Sequence, residues 1–319
     1  MSAEHPRPTP EGPGLPAGIR LCGIGDEAGA SLDEQITALT TLGWDAIELR
    51  TVDGTAVADL DEAAFERVAE RLAAARLEVV CVDSRIANWA RPITAPFAQD
   101  LHELDVLAER CARLGTDRVR VMSYPNDGLP GDRWRAEALA RLAELTARAE
   151  AAGLVLLHEN CAGWAGTRAD RMLDLLAHVD SPALRLLFDV GNGVAYGYRA
   201  YELLPRLAPY IAHVHIKDAV GTPEDTRYTL PGHGDCRVPE ALRHLLDHGY
   251  TGVWSIEPHI NVRPHDFLAR SGDDVLGAFV DYGRELERLI GGLGGLGGLG
   301  GPAGPDKARG AGTASEVCS

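Results

Sequence analysis

Eight times between residues 19 and 290 the chain places a short apolar run rich in Val, Ile and Leu ahead of a loop and an amphipathic stretch rich in Ala, Leu, Glu and Arg. The runs are IRLCGI (19–24), DAIELR (45–50), LEVVCVD (77–83), DRVRVMS (117–123), GLVLLHE (153–159), LRLLFD (184–189), YIAHVHI (210–216) and TGVWSIE (251–257), with starts 26 to 41 residues apart. Strict alternation of strand and helix demands parallel strands joined by right-handed crossovers. Runs this apolar suit strands buried on both faces. Eight units over roughly 270 residues close into a cylinder more readily than they spread into an open sheet. The expected fold class is therefore α/β, a single (β/α)₈ TIM barrel over residues 19–290. Helix ends carry their own signals: Ser31 and Glu34 form a capping box ahead of LDEQITALTTLG, and DRWRAEALARLAELTARAEAAG closes on Gly153.

Composition sets the expectations for the flanks and the compartment. Residues 1–18 hold five prolines, and residues 291–319 open with GGLGGLGGLGG and hold 11 of the 36 glycines, so both are expected to be disordered tails. No apolar run approaches the ~18 to 20 residues of a membrane span. The N-terminus lacks the basic and apolar regions of a secretion signal. Six cysteines without a C-x-x-C pair suit a reducing environment, so a cytoplasmic location is expected. With 47 acidic against 31 basic residues and a formal charge of −16, the chain would repel a nucleic-acid backbone, which leaves a small molecule as the expected partner. Assembly as a homodimer or homotetramer stays open.

In a barrel of this kind catalytic groups sit at the C-terminal strand ends. Four ends carry ionisable side chains directly after an apolar run: His158-Glu159-Asn160, Asp189-Val190-Gly191-Asn192, His213-Val214-His215-Ile216-Lys217-Asp218 and Glu257-Pro258-His259. Side chains alternate between faces along a strand. If Glu159 points inward, so do Leu157 and Val155; the same parity sets Leu187 below Asp189, and Ser255 and Val253 below Glu257. Three carboxylates and one imidazole, His215 being nearest its strand end, then converge from four consecutive strands. Clustered carboxylates without a counter-charge repel and protonate, and a divalent cation resolves the conflict. Oxygen ligands with one nitrogen favour Mn²⁺, Mg²⁺ or Co²⁺ over a thiolate zinc site.

The strand ends HEN, FDVGN and HVHIKD, with LPGHGD and SIEPH, resemble those of the xylose isomerase-like TIM-barrel superfamily of sugar-phosphate isomerases and epimerases, over residues 19–290. The resemblance implies one metal, Mn²⁺ first and Mg²⁺, Co²⁺ or Zn²⁺ as alternatives, held by Glu159, Asp189, His215 and Glu257. It also implies that Glu159 and Glu257 act as acid and base. Two positions depart from the epimerase pattern. Asn192 replaces a His three residues after the metal Asp, and Gly221 replaces an Arg six residues after the metal His, which points away from an ordinary free ketohexose.

Two glutamates flanking a cation suit proton transfer at a carbon next to a carbonyl, with the enediolate stabilised by the cation. Proton return to the opposite face gives epimerisation, return to the adjacent carbon gives isomerisation, and loss of a β-hydroxyl gives dehydration. The expected substrate is a sugar, keto-sugar or cyclitol, unphosphorylated because no glycine-rich phosphate cradle is evident. His158, Asn192, Lys217 and His233 are candidates to orient it, and Trp164, Trp89 and Trp254 to form an apolar wall; for each His and Trp a satisfied core or loop position is the competing reading. Glu48 and Arg50 at the end of the second strand either face the mouth or form a plain salt bridge. G23-I-G25-D-E-A28 with Glu48 imitates a dinucleotide fingerprint and would make the chain an NAD(P)-dependent oxidoreductase, but Asp26 and Glu27 stand where a pyrophosphate must lie. A three-zinc endonuclease lacks its ligands, since Thr226, Tyr228 and Asn192 occupy their positions. A barrel that binds a sugar without turnover is the remaining alternative.

Overall fold

The structure is a computed structural model and describes residues 15–260, 262–263, 268–269 and 274–294. Each apolar run forms a strand: β1 (Ile19–Gly23), β2 (Ala46–Leu49), β3 (Glu78–Asp83), β4 (Arg118–Ser123), β5 (Val155–Gly163), β6 (Leu184–Asp189), β7 (Ile211–Ile216) and β8 (Gly252–Ile256). They share one sheet in the order β1-β8-β7-β6-β5-β4-β3-β2, with every pairing parallel. A parallel bridge between Ile24 and Glu48 joins its two edges. The principal helices are α1 (Leu32–Leu42), α2 (Glu62–Ala75), α3 (Ala98–Leu114), α4 (Gly131–Ala151), α5 (Ala169–Val179), α6 (Ala200–Leu207), α7 (Val238–Asp247) and α8 (Val275–Gly294). The chain is a single TIM barrel. None of the described helices is long and apolar enough to cross a membrane.

Local chemistry sets the helix ends. The Glu34 carboxylate accepts from the Ser31 N–H at 2.9 Å, and the Ser31 hydroxyl accepts from the Glu34 N–H at 3.3 Å, which satisfies two orphan donors at the start of α1. Most of the apolar burial lies between sheet and helices, where Leu39, Phe65, Leu107, Leu142, Trp254 and Tyr282 are enclosed; side chains of this size contribute roughly 2–3 kcal/mol each. Among the described residues the cylinder's interior holds two small apolar clusters, Cys22, Ala46, Val80 and Val253 in one and Cys81, Leu157 and Leu187 in the other. The rest of the interior is polar, and that is where the site lies.

The C-terminal boundary differs from the expectation. α8 continues to Gly294, past the expected limit at 290. Leu286, Ile290 and Leu293 recur at helical spacing on its buried face, and the Leu293 carbonyl accepts from Arg243 at 2.6 Å. The first Leu of the GGL run is thus a core residue. Residues 1–14 and 295–319, the bulk of the two expected tails, lie outside the described residues.

Candidate metal centre

Register brings the ligands together. Glu159 stands opposite Leu187, Asp189 opposite His215, and His215 opposite Ser255. The ligands therefore climb with the stagger of the barrel rather than sharing one row. One ligand atom from each of Glu159, Asp189, His215 and Glu257 lies within 4.8 Å of the others, and all four residues are buried. Leu157 and Leu187 pack together underneath, as alternation requires.

The donor set identifies what the cluster fits. Glu159 Oε2, Asp189 Oδ2, His215 Nδ1 and Glu257 Oε2 are each buried without a hydrogen bond, and the three carboxylate oxygens meet the cations of Arg120 and Lys217. Three carboxylates and one imidazole buried this close together need positive charge between them. Oxygen and nitrogen donors in this ratio fit a hard or borderline divalent cation. The remaining acceptors are engaged elsewhere. Glu159 Oε1 accepts from Asn192 Nδ2 at 2.8 Å, Asp189 Oδ1 from the Gly191 and Asn192 N–H groups at 2.7 Å, and Glu257 Oε1 from Arg50 at 2.9 Å.

Permanent cations surround the cluster. The Lys217 ammonium lies 2.7 Å from Glu257 Oε2, 3.0 Å from Asp189 Oδ2 and 3.1 Å from Asn192 Oδ1. Burial alone would strip its proton, but those two carboxylates hold its pKa well above the usual lysine value. Arg120 approaches Glu159 Oε2 at 3.3 Å and Asp83 at 3.4 Å. Burial opposes ionisation of Glu257, yet Lys217, His259 and His215 hold it well below the usual carboxylate range. Burial pushes Asp189 up to about 6 against the pull of Lys217.

Beneath the ligands Glu48, fully buried, bridges two imidazoles: Oε1 lies 3.0 Å from His215 Nε2 and Oε2 lies 3.0 Å from His213 Nε2. Glu48 therefore faces the barrel interior and not the mouth, which corrects its assignment to the substrate. Arg50 forms the salt bridge that was the alternative reading, with Asp26 at 2.7 Å, Glu27 at 2.6 Å and Glu257 at 2.9 Å, and its guanidinium reaches the site through Glu257.

Asn192 and Lys217 are brought to the centre as expected, and other candidates are not. His158 follows strand parity outward, is fully buried, and makes no hydrogen bond through either ring nitrogen, so burial lowers its pKa to about 4. Its neighbour Glu159 takes the inward face. Trp254 has the same outward parity and fills the layer between sheet and helices. Trp164 lies in that layer too, with Arg135 and Arg171 over its ring at 5.8 and 5.7 Å. His233 turns to solvent, 59% exposed, against Glu285 at 3.2 Å. Trp89 stands 39% exposed in the loop after β3, on the mouth side of the barrel.

Several site residues escaped the sequence reading. Arg120 had a signal, since R-V-R-V on β4 puts charge on the inward parity of an apolar strand. Glu27 and His259 pair at 2.9 Å beside Glu257, and Glu27 is held down to about 2, against burial, by His259 and Arg50. Tyr228 arrives on the antiparallel hairpin Asp218–Thr222/Asp225–Thr229 and meets the His259 ring edge-on at 5.0 Å. No local pattern announces that hairpin. At the imitation dinucleotide fingerprint, Gly25–Glu27 is a single 3₁₀ turn and α1 starts only at Leu32, so no helix N-terminus faces the glycines.

Known proteins carry related sequences and folds. A family model described as xylose isomerase-like TIM barrel matches residues 36–275. Over 119 residues the chain is 30% identical to fructoselysine 3-epimerase of Escherichia coli O157:H7, a segment covering 36% of this chain and 42% of that protein. Over 140 residues it is 33% identical to 2-epi-5-epi-valiolone 7-phosphate 2-epimerase of Actinoplanes sp., covering 44% and 49% respectively. The chain thus matches under half the length of these curated relatives. Among solved structures, the IOLI protein with a binding zinc atom is similar in fold, with a TM-score of 0.68 at 17% identity over 86% of this chain and 99% of that one. With the family match spanning most of the barrel, the chain belongs to the xylose isomerase-like TIM-barrel family.

Proposed function

We propose that this protein is a divalent-metal-dependent sugar isomerase or epimerase, acting by proton transfer next to a carbonyl on a keto-sugar or cyclitol-like substrate. The observation that carries the proposal is the convergence of four buried ligand side chains, Glu159, Asp189, His215 and Glu257, from consecutive strands, with one donor atom of each within 4.8 Å of the others. Those residues would hold one ion, with Mn²⁺ favoured and Mg²⁺, Co²⁺ or Zn²⁺ as alternatives. When bound, the ion supplies Lewis acidity to the substrate's carbonyl and neighbouring hydroxyl. The relatives named epimerases, fructoselysine 3-epimerase and the valiolone 7-phosphate 2-epimerase, support the same reaction class.

The chain's own residues do the rest. Glu159 and Glu257 enter from strands separated by β6 and β7, so they address a bound carbon from different sides, one removing the proton and the other returning it. Asn192 steadies Glu159 through Oε1, and Arg50 steadies Glu257 through Oε1. Lys217 and Asn192 orient the substrate oxygens. Deep burial keeps water away, which strengthens every one of these electrostatic contacts.

Deuterium uptake from solvent into candidate keto-sugars and cyclitols, followed by NMR, tests the proposal. Metal-loaded protein should place deuterium at the carbon next to the carbonyl. Glu159→Gln and Glu257→Gln should each slow that uptake by about 10²- to 10⁴-fold with the fold retained. Uptake at wild-type rate in either variant, or uptake indifferent to a chelator, contradicts it. Uptake accompanied by loss of a β-hydroxyl would identify a lyase using the same residues.

A further inference from the structure

We propose that Glu48 is a positioning residue for His215, fixing which ring nitrogen that histidine offers to the ion. The inference rests on the metal reading above. An imidazole has two nitrogens, and when neutral one carries a proton while the other carries the lone pair. His215 turns Nδ1 to the site, 3.4 Å from Glu257 Oε2 and 3.9 Å from Glu159 Oε1, and Nε2 to Glu48 Oε1 at 3.0 Å. A carboxylate only accepts, so Nε2 keeps its proton toward Glu48, and in the neutral ring that a metal ion requires the lone pair is then on Nδ1. That is the ligand-ready tautomer, and the adjacent negative charge makes it a stronger donor.

The second histidine makes this more than an isolated contact. H-x-H spacing on β7 puts His213 and His215 on the same inward face, and His213 takes the other Glu48 oxygen at 3.0 Å. With both oxygens held, the carboxylate plane cannot rotate away from His215. Burial opposes its charge, but the two imidazoles hold Glu48 well below the usual carboxylate range. A buried charge of this kind is costly unless it is partnered, and small apolar groups, Cys22, Cys81 and Ala46, fill the surrounding interior. Structure alone would be served by an apolar side chain here; orienting a metal ligand is not.

Cobalt binding tests it. Wild type should take up one Co²⁺ with a visible d–d band. Glu48→Met should weaken Co²⁺ binding 10- to 100-fold and alter the band. Glu48→Gln, which keeps one acceptor oxygen, and His213→Phe, which releases the second Glu48 oxygen while the His215 contact survives, should both fall between wild type and Glu48→Met. In Zn²⁺-loaded, ¹⁵N-histidine-labelled protein, His215 should read as the Nε2–H tautomer. The proposal is overturned if Glu48→Met binds Co²⁺ with wild-type affinity and spectrum, or if His215 carries its proton on Nδ1. Should Glu48→Met fail to fold, Glu48→Gln decides, and wild-type affinity with an unchanged band there overturns it equally. Wild type that binds no Co²⁺ brings down the metal reading and this proposal together, whereas normal wild-type binding with an indifferent Glu48 brings down this one alone.

Discussion

His158 and Glu159 adjoin in sequence and point into opposite surroundings, one into the apolar layer under the helices, the other into the polar interior. Alternation along β5 decides that, and the same rule read from sequence gave Glu159, Asp189 and Glu257 their inward faces. Applied to His158 and Trp254 it turns both outward, into the core position that was the competing reading for each. Arg120 shows the opposite gap, an inward charge that parity reveals and that no metal-ligand motif includes. Its guanidinium offsets buried Glu159 and reaches Asp83, whose carboxyl burial pushes well above the usual range with Glu48 adding to the shift despite Arg120. Removing one partner of a buried ionic contact leaves the other uncompensated. Arg120→Met should therefore lower stability in urea unfolding by roughly 3 kcal/mol or more. A change below about 0.5 kcal/mol would show that the guanidinium carries no such role.

Elements place these residues, and the loop after the 218–229 hairpin shows how much of that is backbone work. Asp218 Oδ2 accepts from the Gly232 and Gly234 N–H groups at 2.8 and 3.0 Å, and Oδ1 from Ala219 and Cys236 at 3.0 and 3.1 Å. The L-P-G-H-G-D segment was legible as a motif, and its imidazole takes the loop position that was the competing reading. The glycines are what the geometry needs: a Cβ on Gly234 would stand 2.2 Å from Asp218 Oδ1, while His233 merely faces solvent. Asp218→Ala strands four backbone donors and should cost about 2–4 kcal/mol, read as a lower urea midpoint. Asp218→Asn, which keeps one accepting oxygen, should recover part of that. Equal stability of the alanine variant and wild type would refute the anchoring role.

At the scale of the whole molecule, the strand–helix alternation was the most legible feature, because eight repetitions reinforce one another where any single apolar run is ambiguous. Tertiary additions were illegible for the same reason: the hairpin carrying Tyr228 and the Glu27–His259 pair occur once, and only the closed barrel brings β1 beside β8. The end of α8 was misplaced because glycine-rich sequence reads as tail, although Leu293 continues a buried helical stripe. A chain ending at Ile290 should be less stable than one ending at Gly294 by about 2 kcal/mol, the burial of one leucine. Equal melting temperatures would place Leu293 outside the core. Above all, the account requires that strands β5, β6, β7 and β8 aim one atom each at a single ion. Anomalous diffraction from crystals soaked in Mn²⁺ measures that directly. One peak within bonding distance of Glu159, Asp189, His215 and Glu257 is the expected result, and a map with no peak among those four side chains contradicts it.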